Sequence, residues 1–212
     1  MLQPYLDKLS AFVSETEFQP ELQRAKKAYF EQTGEVFETD DSFEMRMASF
    51  LEWFILDRPL ASIGPEKGIT PVQWYVERNQ TALTEADRIV FGNFSHTIHS
   101  LFEVGKLKPD TMQMKDLFTG KAHSVFERRK PVGIEKDDVV EARLIQTPDS
   151  RIMFSPSFCF HPRDAKKAIM KLVKAHKKTG GEAEGLLFKL AYLRLKVDRY
   201  KHVTPDKLYA AP

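Results

Sequence analysis

Five side chains in this sequence have types and spacings that invite chemistry: His96 and His99, His123, and the pair Cys159 and His161. His96-x-x-His99 has the gap of a zinc-ligand pair, and the other three fall in the same strand-rich region. A zinc site needs four convergent nitrogen or sulfur ligands and further groups that orient them. In an extended segment two residues at that spacing point to opposite faces, so no metal is expected here. Cys159 and His161, two residues apart on a strand, share a face and have the makings of a nucleophile–base dyad. They bring neither an acid nor an oxyanion hole. A cysteine between Phe158 and Phe160 reads instead as a small buried hydrophobe. Asp40-Asp41 and Asp137-Asp138 read as cap or turn chemistry. The chain has no glycine-rich phosphate loop, paired-carboxylate motif or dinucleotide fingerprint. The expectation is no catalytic residue and no cofactor.

The basic residues near the C-terminus are more coherent. Lys167, Lys171, Lys174 and Lys178 recur at steps of three and four, so a helix puts them on one face, flanked by Arg163, Lys166 and Lys177. Further on, Lys189, Arg194, Lys196, Arg199 and Lys201 surround Tyr192 and Tyr200. Such a stripe neutralises phosphate oxygens and releases counterions, and its lysines suit backbone contact better than base reading. The alternative is a solvated helix face, or a surface that docks acidic helices of the same chain. Charge distribution keeps that alternative open. Residues 1–60 carry a net −6 and residues 161–212 a net +8, although the whole chain is +2.

What must position these groups is read from periodicity. Ser42 to Arg58 is apolar almost all round, with a thin polar stripe at Arg46, Ser49 and Glu52, and Pro59 stops it. A helix of that kind belongs in the middle of a fold. Asp40, Asp41 and Ser42 offer N-cap oxygens, with Asp41 and Glu44 at capping-box spacing. Shorter amphipathic helices are expected around Leu6–Val13, Pro20–Gly34, Thr70–Val76 and Thr84–Phe94, and a Pro- and Gly-punctuated connection runs from Arg58 to Gly68. From Ile98 the period changes to two. Short strands follow to Phe160, with turns at Thr119-Gly120 and Pro148-Asp149-Ser150 and with Pro156 marking an edge or bend. Ala165–Val173 and Leu186–Tyr200 are again helical, separated by Gly180-Gly181.

A resemblance runs through residues 42–156. Phe50-x-x-Trp53-Phe54 with Asp57-Arg58, Gly68-x-Thr70-Pro71, Ser100-Leu101-Phe102-Glu103-Val104 and Asp116-Leu117-x-Thr119-Gly120 carry its first part. Val125-x-Glu127-Arg128 and Asp138 leading to Ala142-Arg143-Leu144-Ile145 carry the rest. Together they resemble uncharacterised bacterial proteins related to SEC-C-motif-containing proteins, some of which end in a cysteine-rich zinc-binding motif. This chain has one cysteine, so neither the zinc motif nor its partner-binding role carries over.

The order helices, strands, helices predicts an α+β fold. A helical part spans 1–96, a small antiparallel sheet or partial barrel 97–161, and two basic helices 162–212, all within reach of a shared core. A single cysteine, no long apolar run and no signal-like start place the expectation in the cytoplasm. The functional expectation is a non-enzymatic binding or adaptor protein. Its partner surface is the lysine-rich face (Lys167, Lys171, Lys174, Lys178, Lys189, Arg194, Lys196, Arg199), with one side of the small sheet as a second candidate, and it meets nucleic acid or an acidic protein. Phe102, Phe118, Phe126, Phe154, Phe158 and Phe160 are expected mostly in the core, with any exposed ring available for stacking. The competing expectation is a small hydrolase or transferase with a pocket between helices and strands that collects His99, Asp116, Arg143 or His161.

Overall fold

Before the strands come five α-helices: α1 (Gln3–Val13), α2 (Gln19–Thr33), α3 (Phe43–Leu56), α4 (Pro71–Arg78) and α5 (Glu85–Phe94). The computed structural model describes residues 2–64, 68–127 and 133–210, so Pro65, Glu66 and Lys67 of the connection after Arg58, and Arg128, lie outside the described residues. Local chemistry sets most helix ends. Pro20 and Pro71 sit in first turns, where a missing N–H costs nothing. Thr84 accepts from the backbone N–H of Asp87, whose carboxylate accepts from that of Thr84, completing a capping box. Gly34 ends α2 at φ 88°, and a side chain there would meet Leu195 and Tyr192 at 2.8 Å. The cap expected for α3 is a correction. Ser42 is its N-cap residue but makes no cap hydrogen bond, and Asp40 instead accepts from Phe37 and binds Arg199.

Helix α3 is central, as its apolar surface requires. Phe50, Trp53, Phe54, Ile55 and Leu56 are buried among Tyr29, Phe30 and Phe188. Its polar stripe is buried too. Arg46, 4% exposed, donates to the carbonyls of Thr33, Gly34 and Ala191, and Glu52, 8% exposed, accepts from the backbone N–H of Ser157 at 3.1 Å.

Five strands follow: β1 (Ile98–Leu107), β2 (Thr111–Asp116), β3 (Ala122–Phe126), β4 (Val139–Gln146) and β5 (Ile152–Phe160). They close into a barrel in the order β1-β2-β3-β5-β4, with β3 and β5 parallel at Val125 and Ile152 and every other contact antiparallel. The expected antiparallel sheet or partial barrel is therefore corrected to a closed, mixed one. This connectivity is that of the OB-type Greek-key barrel. Phe102, Val104, Met112, Met114, Val125, Val140, Ala142 and Leu144 fill the interior through strict alternation. At one end Asp116 accepts from Ser100 and from the backbone N–H groups of Phe118 and Thr119, so this carboxylate closes the β2–β3 turn.

The chain ends in α6 (Lys166–Thr179), α7 (Ala183–Arg199) and the short α8 (Pro205–Ala210). They pack on both other parts. Phe188 of α7 joins the helical core beside Tyr29 and Trp53, whereas Ile169, Val173, Leu186 and Leu190 pack with Leu101, Leu117 and Val139 of the barrel. Ile145 of β4 also belongs to the helical core. No helix among the described residues is long and apolar enough to cross a membrane.

One ion cluster ties α3 to the barrel. Arg143 of β4, 2% exposed, grips Asp57 just past α3 with both terminal nitrogens, one contact measuring 2.9 Å, and also donates to Thr97. Its Nε lies 3.7 Å from Glu52. Removing one partner of a buried pair strands the other charge, at a cost of about 3–5 kcal/mol. Arg143→Ala is expected to lower unfolding free energy by that order in urea titrations, and Asp57→Ala, whose site is more open, by less. Wild-type stability in Arg143→Ala would refute the clamp.

Candidate functional site

Helix α6 presents its apolar side inward through Ile169 and Val173. The opposite side carries Lys167, Lys171, Lys174 and Lys178, all exposed, with Met170 exposed among them. None of these four ammonium groups has a carboxylate at ion-pair distance among the described residues, and Lys189, within α7, is likewise exposed and unpaired there. The surface between Arg163 and Lys174 is a shallow groove rather than a pocket.

The rest of the expected basic surface is corrected. Arg194 is half-buried, donates to the carbonyl of Phe160 at 3.0 Å and pairs with Asp198, so it holds α7 against β5. Arg199 reaches Asp40 at 2.7 Å and the carbonyl of Glu35 at 2.8 Å, and Lys201 reaches Asp41 at 3.4 Å. Lys196 lies 4.5 Å over the Tyr192 ring. Arg163 binds Asp138 at 2.6 Å, and Lys166 binds Glu103 at 2.8 Å. Acidic N-terminal residues therefore do dock basic C-terminal ones, but through α7 and the residues after it. The α6 lysines are left out of that docking.

The barrel extends this basic surface. Helices pack on the outer faces of β4, β5 and β1, whereas Lys115, Ala122 and Ser124, pointing outward from β2 and β3, are exposed. Lys115 sits directly across from Glu103, the partner of Lys166, so the open wall begins beside α6. Lys106, Lys108 and Lys121 are exposed at its margins, and none of the four lysines has a carboxylate partner among the described residues. Phe126 is half-buried at the edge of the wall under the Arg151 guanidinium, 4.5 Å away. Sequence reasoning offered one side of the sheet as a partner surface but did not single out this wall. Its alternation of Met112 and Met114 with Gln113 and Lys115 was legible, but not that helices would leave this side bare.

A family of unknown function, DUF7986, matches residues 11–192. The chain belongs to that family. The matched stretch contains the Arg143 clamp, the barrel and all of α6, and it ends before Arg194 and Arg199. No curated protein and no solved structure matches the chain.

The residues weighed for catalysis or metal binding are dispersed. His96 bonds the Gly92 carbonyl, and His123 sits inside the barrel against Phe102. Cys159 is half-buried opposite Glu141, and desolvation together with that carboxylate pushes its thiol up to about 12, away from the thiolate form. Among the described residues no group of three His, Cys, Asp or Glu is arranged so that it could hold a metal ion. Of the four residues that would mark an enzyme pocket, Asp116 and His161 are elsewhere. His99 and Arg143 do meet, in a cavity of about 20 Å³ that Ser49, Glu52, Glu141 and Cys159 also line, which holds one water at most. His99 Nε2 is 3.1 Å from Glu141, which it keeps ionised deep under α3: burial alone would raise this carboxylate, but the histidine and nearby Arg46 bring it below its ordinary value. His99 also lines a larger, open cleft beyond that cavity.

His161 is 4% exposed, with Nδ1 2.8 Å from the Tyr209 hydroxyl, which fastens α8 to the barrel end. Burial pushes its pKa from the ordinary 6.5 down to about 4; Arg194 acts in the same direction and Glu141 opposes. The unfolded chain therefore binds this proton first as pH falls. Stability from this site is full above pH about 6.5, declines between about 6.5 and 4, and is constant below, a loss of about 3 kcal/mol. In urea titrations across that range His161→Gln is expected to show a shallower fall than wild type. Parallel curves would contradict a neutral buried imidazole.

Proposed function

We propose that this protein is a cytoplasmic, non-enzymatic binding protein that holds nucleic acid by its phosphate backbone, along α6 and onto the outer wall of β2 and β3. The observation that carries this reading is the selectivity of pairing. Arg163, Lys166, Arg194, Arg199 and Lys201 are neutralised by carboxylates of the same chain, while Lys167, Lys171, Lys174 and Lys178 stand exposed on one face with no carboxylate partner among the described residues. Lysines without planar forks suit phosphates rather than base edges. The barrel connectivity is consistent with this use, since OB-type barrels bind oligonucleotides on strands 2 and 3. It carries less weight than the charges, because a fold hosts many functions. A shallow groove edged by lysines unpaired among the described residues also fits an extended polyanion better than a small substrate.

The test is fluorescence anisotropy with labelled single- and double-stranded oligonucleotides across a salt series. The wild type is compared with Lys167→Glu, Lys171→Glu, Lys174→Glu, Lys178→Glu combined. Neutralising about four phosphates gives a slope of log affinity against log salt of about −3. The wild type is expected to show a slope of at least that steepness, and the variant to lose most of the affinity while unfolding at the wild-type temperature. Absence of binding at low salt would overturn the proposal, and a surviving pull-down of an acidic protein through the same lysines would replace it.

A further inference from the structure

A cleft of about 550 Å³ lies between the end of α3, the start of β1 and the N-terminal end of α7. That volume is within the usual range for small-molecule sites. Trp53, Pro59 and Leu187 give it apolar walls, and Thr97 and His99 lie on its inner side. Its Asp57 is already held by Arg143. The remaining charges are not settled. Arg58 lines the cleft with its guanidinium 5.2 Å over the Trp53 ring; among the described residues its Nε is buried without a hydrogen-bond partner and no carboxylate lies at ion-pair distance. Glu184 accepts from Trp53 Nε1 at 2.7 Å and meets no cation, and Glu182 beside it has no partner among the described residues.

Opposite charges that share one cleft ordinarily pair with each other. Here Trp53 prevents it. The face of the indole holds Arg58 and its N–H holds Glu184, so one 6%-exposed ring fixes a cation and an anion separately. A ligand that is only anionic would satisfy Arg58 and face the two glutamates, and one that is only cationic would face Arg58. A molecule carrying both charges on a short frame satisfies all of them. We propose that this cleft binds a small zwitterion of the amino-acid class, with its carboxylate on Arg58, its ammonium group toward Glu184 and Glu182, and its apolar part along Pro59 and Leu187. The cleft is built from residues other than the α6 lysines, so this inference stands apart from nucleic-acid binding.

The experiment follows the emission of Trp53 in a Trp74→Phe background, since the chain has two tryptophans. The probes are leucine, phenylalanine and leucyl-leucine, each beside its N-acetyl and its C-terminal amide derivative, titrated to millimolar concentration. The free zwitterions are expected to shift the emission saturably, and blocking either end to weaken binding about tenfold or more, as loss of a charge-assisted contact does. A single residue binding better than the dipeptide identifies the frame as a free amino acid, and the reverse identifies a peptide. Arg58→Gln should erase the penalty for amidation, and the exposed Glu182→Gln, combined with Glu184→Gln, the penalty for acetylation. If no free zwitterion moves the Trp53 emission, or if both blocked forms bind as well as the parent, the inference is wrong.

Discussion

A buried guanidinium sets the terms for this fold. Arg143 leaves β4 on the outer side of the barrel, under α3, where water cannot solvate it. Such a group is tolerable only when it is paired: its terminal nitrogens donate to Asp57 and Thr97, and Glu52 stands at ion-pair distance from its Nε, which has no hydrogen-bond partner among the described residues. The arrangement fixes how α3 crosses the barrel, because a bidentate fork accepts one orientation of its carboxylate. It also explains why the polar stripe of α3 is inside. Arg46 and Glu52 supply hydrogen bonds to carbonyl and amide groups that the meeting of helices and barrel would otherwise leave unpaired.

Arginine and lysine are used differently across the molecule. Arg46, Arg143, Arg163, Arg194 and Arg199 all bind carbonyls or carboxylates of the same chain, as a weakly hydrated, forked cation favours. Lys167, Lys171, Lys174 and Lys178 of α6 and the lysines of the β2–β3 wall keep their strongly hydrated ammonium groups in water. The +8 of the C-terminal stretch is thus two populations. One part pairs with carboxylates of the same chain, Arg199 and Lys201 with Asp40 and Asp41 and Arg163, Lys166 and Arg194 with Asp138, Glu103 and Asp198, and the other is left as an outward field.

The closed barrel arranges these features around itself. Closure removes sheet edges, so the outer wall is divided only by what packs on it. Helices α3 and α5 cover β4 and β5, and the C-terminal helices cover β1. The bare wall of β2 and β3 and the cleft at Trp53 are what that coverage leaves.

Sequence alone determined the elements and their character. Periods of 3.6 and 2, prolines at Pro20 and Pro71 and the glycine at Gly34 act within a few residues, so α2, α4, the strands and the amphipathic α6 were readable from their own spacing. The same local reading placed Lys167, Lys171, Lys174 and Lys178 on one face. Tertiary structure decided which polar faces meet water. Nothing local distinguishes Lys171 from Arg194, or the stripe of Arg46 and Glu52 from an exposed one, because a periodic pattern says which residues lie together and not what lies against them. The parallel contact of β3 with β5, the clamp from Arg143 to Asp57 and the tryptophan between Arg58 and Glu184 join residues far apart in the chain. Only closure of the barrel and the crossing of α3 over it bring them together.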